Sequence, residues 1–112
     1  MPDCLFCRMI SGEIKAKVEY EDDTLFVIHD INPQAPAHLL VIPKKHIEKI
    51  SDAGTEDVLT LGKIVDGAKK MAGRNGWKDF RLVFNNGPEA GQSVYHIHMH
   101  LLSGRRMTWP PG

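Results

Sequence analysis

The segment His96-Ile97-His98-Met99-His100-Leu101-Leu102 places three of the chain's six histidines at alternate positions. In an extended strand, residues two apart share a face at a spacing of roughly 6.5 Å. His96, His98 and His100 would then form one row of imidazoles, with Ile97, Met99 and Leu101 facing a core behind them. Lys, Thr or Glu would serve a plain solvent face equally well, so the row reads as a site. Two chemistries suit it. Alternating imidazoles can offer two ligands to a metal ion, although the strand itself lacks the carboxylate that a catalytic metal site often adds. Alternatively, one neutral imidazole can attack phosphorus. Its nitrogen is both a nucleophile and a tolerable leaving group, so one hard displacement becomes two easier ones. Neighbouring rings then orient the attacker and donate to phosphate oxygens. Crowding of like charge keeps at least one ring neutral near pH 7. An attacking imidazole must be unprotonated, so activity is expected to fall below the ordinary histidine pKa of about 6.5.

Two further segments carry chemistry. Gly87-Pro88-Glu89-Ala90-Gly91-Gln92-Ser93 runs into the histidines and can aim backbone N–H groups and a hydroxyl at an anion. Gly-x-x-x-Gly by itself is only a turn. The chain has neither a Walker A pattern nor Gly-x-Gly-x-x-Gly, which disfavours ordinary kinase, GTPase and Rossmann readings. Cys4-Leu5-Phe6-Cys7 has the spacing of a thiolate metal clip or a redox dithiol. No βαβ context supports the redox use, and a structural zinc needs two more ligands. Taken singly, His38 reads as a strand-end hydrogen bonder, His46 as a surface residue, Asp30 as an Asx-turn residue and Trp109 as a tail aromatic.

Elements must position these residues. Leu5, Phe6, Met9 and Ile10 predict a short helix stopped by Gly12. Val18–Tyr20 and Thr24–Asp30 flank Asp22-Asp23 as a hairpin. Asn32-Pro33-Gln34-Ala35-Pro36 is a loop, and His38–Ile42 is a short strand ended by Pro43. One long helix begins near Thr55, capped by Ser51 or Thr55, with Glu56 and Asp57 suiting its positive end. Val58, Leu61, Val65, Ala68 and Ala72 fall on one face, and Asn75-Gly76 supplies the stop. Phe80–Phe84 and His96–Leu102 complete the strands. This order is not βαβ alternation. It predicts an α+β fold, with a mostly antiparallel five-stranded sheet, one long helix and a short N-terminal helix.

With 112 residues, the chain has the size of one domain, 1–112, ending in a short Pro-rich tail. A hydrophobic share of 42% and a charged share of 25% are globular values. The 14 basic and 14 acidic residues cancel, so no large basic field argues for a nucleic-acid or membrane-surface partner. No apolar run approaches a membrane span, and Arg8 interrupts the N-terminus before a signal-peptide apolar region forms. Two cysteines are too few for a disulfide scaffold, so a reducing, cytoplasmic setting is expected.

These motifs meet a known pattern. His96 to Leu102 resembles the histidine triad His-φ-His-φ-His-φ-φ, where φ is hydrophobic. Over nearly its full length the chain resembles the Hint branch of the histidine-triad superfamily. The resembling segments are Asp30–His38, Val41–Ile47, Gly91–His96 and the terminal Trp109-Pro110-Pro111-Gly112.

The resemblance implies a homodimer with joined sheets, the tail 103–112 at its interface. It implies purine nucleoside monophosphates as ligands and hydrolysis of nucleoside phosphoramidates and acyl-adenylates through a nucleotidyl-histidine. His98 takes the position of the nucleophile and His100 that of a donor to a phosphate oxygen. His96 and His38 take that of a supporting pair setting protons near the leaving group. Ser93, with the backbone of Gly91 and Gln92, would contact phosphate or leaving group, and Asn85 would lie beside the phosphate. Asp30 would hold the ribose hydroxyls, Ile31 would pack near the base, and Trp109 would reach the partner's site. Catalysis needs no cofactor on this reading. Zinc-containing relatives place a structural zinc where Cys4, Cys7, His46 and His96 stand here. Lys15 stands where many relatives have proline, and Ile28 where an aromatic is common near the base. Other branches imply dinucleoside-polyphosphate hydrolysis or nucleotidyl transfer, and a non-enzymatic purine-nucleotide sensor has the same motif.

Overall fold

The computed structural model describes residues 3–112; Met1 and Pro2, the start of the expected domain, lie outside the described residues. These residues form helix α1 (Leu5–Ile10), strands β1 (Val18–Glu21), β2 (Leu25–His29) and β3 (Ala37–Pro43), helix α2 (Val58–Asn75), and strands β4 (Phe80–Phe84) and β5 (Met99–Ser103). The sheet order is β1-β2-β3-β5-β4, antiparallel at every pairing. The expected α+β class with a five-stranded sheet is therefore the observed one. No helix among the described residues is long and apolar enough to cross a membrane.

The sheet is covered on both faces, which is why β2 and β3 read as continuous apolar runs rather than alternating ones. On one face Leu25, Val27, Leu39, Val41, Ile97, Met99 and Leu101 pack against Ile64, Ala68 and Met71 of α2. On the other, Phe26, Ile28, Leu40 and Ile42 pack against Cys4 and Phe6 at α1. The period-2 alternation of β5 sends Met99 and Leu101 to the α2 face, so His98 and His100 go to the α1 face. β5 lies between β3 and β4, with Leu40 and Val83 opposite His100. His100 therefore rests on an interior strand, hydrogen-bonded on both sides, and His98 immediately precedes it.

Three expectations need correction. First, the ladder begins at Met99 rather than His96. Its neighbour β3 ends at Pro43, which has no N–H to donate, and the Pro43 carbonyl is taken by the His96 ring. Ile97 instead donates its N–H to the Ile47 carbonyl at 2.8 Å. Second, the sheet-facing stripe of α2 is Ile64, Gly67, Ala68, Met71 and Ala72, whereas Val58 and Val65 are 62% and 46% exposed. Ala68, Ala72 and Leu61 of the expected face do pack on the core, but Ile64 and Met71 complete the stripe in place of Val58 and Val65, because apolar residues occur around much of α2 and packing selects among them. Gly67 marks the contact line: a Cβ there would lie 2.5 Å from Leu25 Cδ1. Third, neither Ser51 nor Thr55 caps α2. Short 3-10 turns over Ile50–Asp52 and Thr55–Asp57 precede it, and the buried Asp57 carboxylate accepts from the Gly54 N–H and pairs with Lys45. The helix ends at Gly76, in the left-handed region, as expected.

Candidate active site

His98 is 8% exposed, its ring set edge-on to Phe6 of α1 at 5.0 Å between centroids. Its Nδ1 lies 2.8 Å from the His96 carbonyl oxygen. A carbonyl only accepts, so Nδ1 carries the proton and Nε2 keeps its lone pair. His100 stands beside it at 5.2 Å. The Gln34 backbone N–H donates to His38 Nδ1 at 3.0 Å, which places the His38 proton on Nε2. That proton is donated to His100 Nδ1 at 2.9 Å, so His100 carries its own proton on Nε2. The Asp30 carboxylate lies 3.4 Å from His38 Nε2 and also accepts the Asn32 N–H. One ring therefore presents a bare nitrogen, and its neighbour presents an N–H donor.

Burial is the main reason these rings stay neutral. It holds the pKa values of His98 and His38 below the usual histidine value, opposed at His98 by the His96 carbonyl and then Asp30, and at His38 by Asp30. His100 is lowered to about 4, first by burial and then by His98 and His38. Like-charge crowding, the cause read from the sequence, is secondary to burial at His100.

Asp30, Ile31, Asn85, Gly91, Ser93, His98 and His100 line one cavity of about 340 Å³, roofed by Phe6 and Met9 and floored by Ile28 and Leu40. Its lining combines apolar side chains with hydrogen-bonding groups, which suits a ligand with a flat apolar part and an anionic part. A cavity of about 800 Å³ lies at the edge strand between Trp77 and Arg106, away from the triad.

The chain is similar to several known proteins. Residues 3–109 match the family model described as "Scavenger mRNA decapping enzyme C-term binding". An uncharacterized HIT-like protein from Synechocystis sp. is 49% identical over 98% of this chain and 97% of its own length. The crystal structure of a HIT family hydrolase from Legionella pneumophila is 53% identical with a TM-score of 0.95, covering 98% of this chain and all of that one. A HIT family hydrolase from Clostridium thermocellum is 40% identical with a TM-score of 0.93, covering 96% of each chain.

The chain belongs to the histidine-triad (HIT) family.

Within this HIT chain the expected site residues separate into two groups. His98, His100, Asp30, Asn85, Gly91, Ser93 and Ile31 converge on the cavity, with Ile31 97% exposed at its mouth. Gln92 does not reach it. Its buried side chain accepts from the Gly87 N–H and donates to the Glu48 and Val94 carbonyls, which fixes the loop that carries Gly91 and Ser93. Trp109 is 82% exposed and does not line its own chain's cavity. His96 and His38 do not form a pair. His38 partners His100, and the His96 ring turns toward the cysteines.

There Cys4 Sγ is 3.3 Å and Cys7 Sγ 3.6 Å from His96 Nδ1, Cys7 Sγ is 3.4 Å from His46 Nδ1, and the two Nδ1 atoms are 3.1 Å apart. A tetrahedral zinc with standard bond lengths separates sulfur from nitrogen by about 3.5 Å and nitrogen from nitrogen by about 3.3 Å. The donor set therefore fits zinc. The far nitrogen of His96, Nε2, donates to the Pro43 carbonyl at 2.7 Å, an outer hydrogen bond typical of a ligating histidine.

Sequence reasoning missed Phe6, Met9 and Leu40 as cavity walls and the Gln34 amide as a partner of His38. The helical spacing of Phe6 and Met9 was visible, but it does not say which face of which strand they cover.

Proposed function

We propose that this protein hydrolyses purine nucleoside phosphoramidates and acyl-adenylates through a nucleotidyl-histidine on His98, as a Hint-type member of its family. The observation that carries this reading is the His98 Nδ1–His96 carbonyl bond, which leaves Nε2 as the free nucleophile on a cavity wall. The base lies between Phe6, Ile28 and Leu40, and the ribose hydroxyls meet Asp30. Phosphate oxygens receive the His100 Nε2–H, the Asn85 amide and the Ser93 hydroxyl.

His98 Nε2 bonds to the α-phosphorus as the P–N bond to the leaving amine, or the P–O bond to the acyl group, breaks. Water then attacks the same phosphorus and the Nε2–P bond breaks, returning the lone pair to His98. In sum one proton of that water leaves with the amine or acid, and the hydroxyl stays on the nucleoside monophosphate. No metal takes part in these steps. Zinc, when held by Cys4, Cys7, His46 and His96, supplies structural cross-linking between α1 and the approach to β5.

The implied partner is a second copy of this chain. The unpaired edge of β4 and the exposed Val58, Leu59 and Val65 of α2 are the surfaces that suit it. The tail 103–112 carries Trp109 toward that copy's site on this reading.

Steady-state turnover of adenosine phosphoramidate, measured beside diadenosine polyphosphate, tests the proposal. Preference for the phosphoramidate supports it. Preference for the polyphosphate moves the chain to another branch, a reading that the decapping description of the matching family model favours. Tight nucleotide binding with no turnover of either points to a sensor.

A further inference from the structure

The His38–His100 pair can hold its protons in two ways. In one, His38 Nε2 donates to His100 Nδ1 and His100 presents Nε2–H to the cavity. In the other, His100 Nδ1 donates to His38 Nε2, His38 carries its second proton position on Nδ1, and His100 presents a bare lone pair. Both satisfy the 2.9 Å contact between the rings. Only the first offers a donor to a phosphate oxygen; the second sets a lone pair against it.

The choice is made outside the cavity. The Gln34 N–H, at 3.0 Å from His38 Nδ1, can only donate, and so it selects the first pattern. Gln34 lies in the loop between β2 and β3, where nothing in a ladder holds the backbone. Its carbonyl is held instead by the Arg105 Nε at 2.8 Å, while Arg105 Nη1 donates to the Arg106 carbonyl. Ala37 pairs with Ser103 in the sheet, so the loop entering β3 and the turn leaving β5 are forced side by side. Gly104 makes the approach close enough. It has φ +98°, and a Cβ there would stand 2.9 Å from Pro36 Cβ.

We infer that Gly104 and Arg105 form a clamp on the 31–36 loop that sets, through the Gln34 amide and His38, which nitrogen of His100 carries the proton. Arg105 and Gln34 are positioning residues; neither touches the cavity. The Asp30 carboxylate, 3.4 Å from His38 Nε2, favours the same proton pattern. Loss of the clamp therefore weakens the bias without abolishing it. The catalytic consequence rests on the phosphoryl-transfer reading above, whereas the proton pattern does not.

The experiment is long-range ¹H–¹⁵N correlation of the histidine side chains at neutral pH, with turnover of adenosine phosphoramidate, on the full chain. The wild type is expected to show His38 and His100 as Nε2–H tautomers. Arg105→Ala is expected to show both rings in mixed tautomers, with kcat down roughly tenfold and KM changed by less than about threefold, the loss of one charge-assisted hydrogen bond. Arg105→Lys, which can still donate to the Gln34 carbonyl, is expected to restore the tautomers and most of kcat. Arg106→Ala removes a neighbouring charge and is expected to change neither. A wild-type His38 protonated on Nδ1 overturns the inference. So does an Arg105→Ala protein with wild-type tautomers, or one with altered tautomers and unchanged kcat. If Arg105→Ala does not fold, the wild-type and Arg105→Lys spectra still decide the proton pattern. A wild type that keeps the expected tautomers but leaves the phosphoramidate intact refutes the substrate reading and the catalytic role together, and leaves the clamp standing as a structural device.

Discussion

The carbonyl oxygen of His96 lies 2.8 Å from Nδ1 of His98, while the ring of His96 faces the other way, 3.3 Å from the sulfur of Cys4. One residue therefore serves two sites: its backbone fixes the His98 proton and its side chain joins the cysteine cluster.

His98→Ala removes the one ring among the described residues whose Nδ1 is committed to a carbonyl and whose Nε2 has no hydrogen-bond partner. Turnover of adenosine phosphoramidate is expected to fall by at least about 10³-fold, while AMP binding, read by calorimetry, stays within a few-fold of wild type. Intact mass measured during turnover is expected to show a nucleotidyl adduct on wild type and none on the variant. Near-normal turnover in the variant would remove His98 as nucleophile.

The acid limb of the rate profile reports His98. The active form is neutral, and burial holds its pKa below the usual value of 6.5. Activity is therefore expected to persist at pH 6.5 and to fall only at lower pH, as the ring gains a proton on Nε2. Single-turnover rates from pH 8 to pH 4.5 check this. A midpoint above 6.5 contradicts the burial argument, and an acid limb that persists unchanged in a His98→Ala protein contradicts the assignment.

Phe6 is 3% exposed and stands edge-on to both His98 and His96, at 5.0 and 5.9 Å. Phe6→Ala opens a cavity between α1 and the sheet and is expected to cost about 3 kcal/mol of stability. It also frees the His98 ring, so kcat should fall along with the urea midpoint. A stability loss below about 1 kcal/mol would mean that α1 closes over the gap.

Protein purified without chelator is expected to hold about one zinc per chain by atomic emission. A strong chelator should then lower the melting temperature. Cys4→Ser replaces a thiolate by a hydroxyl that stays protonated, so it is expected to lose the metal and the chelator response together. Metal-free wild-type protein with an unchanged melting temperature would leave the cluster as thiol–imidazole hydrogen bonds alone.

The sequence by itself determined what is local: alternating histidines leading into a strand, the hairpin, the long helix and its glycine stop, and an α+β order. Each follows from residue type and period over a few positions. Tertiary structure decided what depends on distant partners. Packing on the sheet placed Ile64 and Met71 beside Ala68 and Ala72 in the buried stripe of α2 and left Val58 and Val65 exposed, because apolar residues around much of the helix left that choice open. The His96 ring turned to Cys4, 92 positions away, and His38 found His100, 62 positions away, rather than His96. The proton on each ring was fixed by amides and carbonyls that no side-chain pattern encodes. A triad can be read from three letters and their spacing, but its tautomers belong to the backbone folded around it.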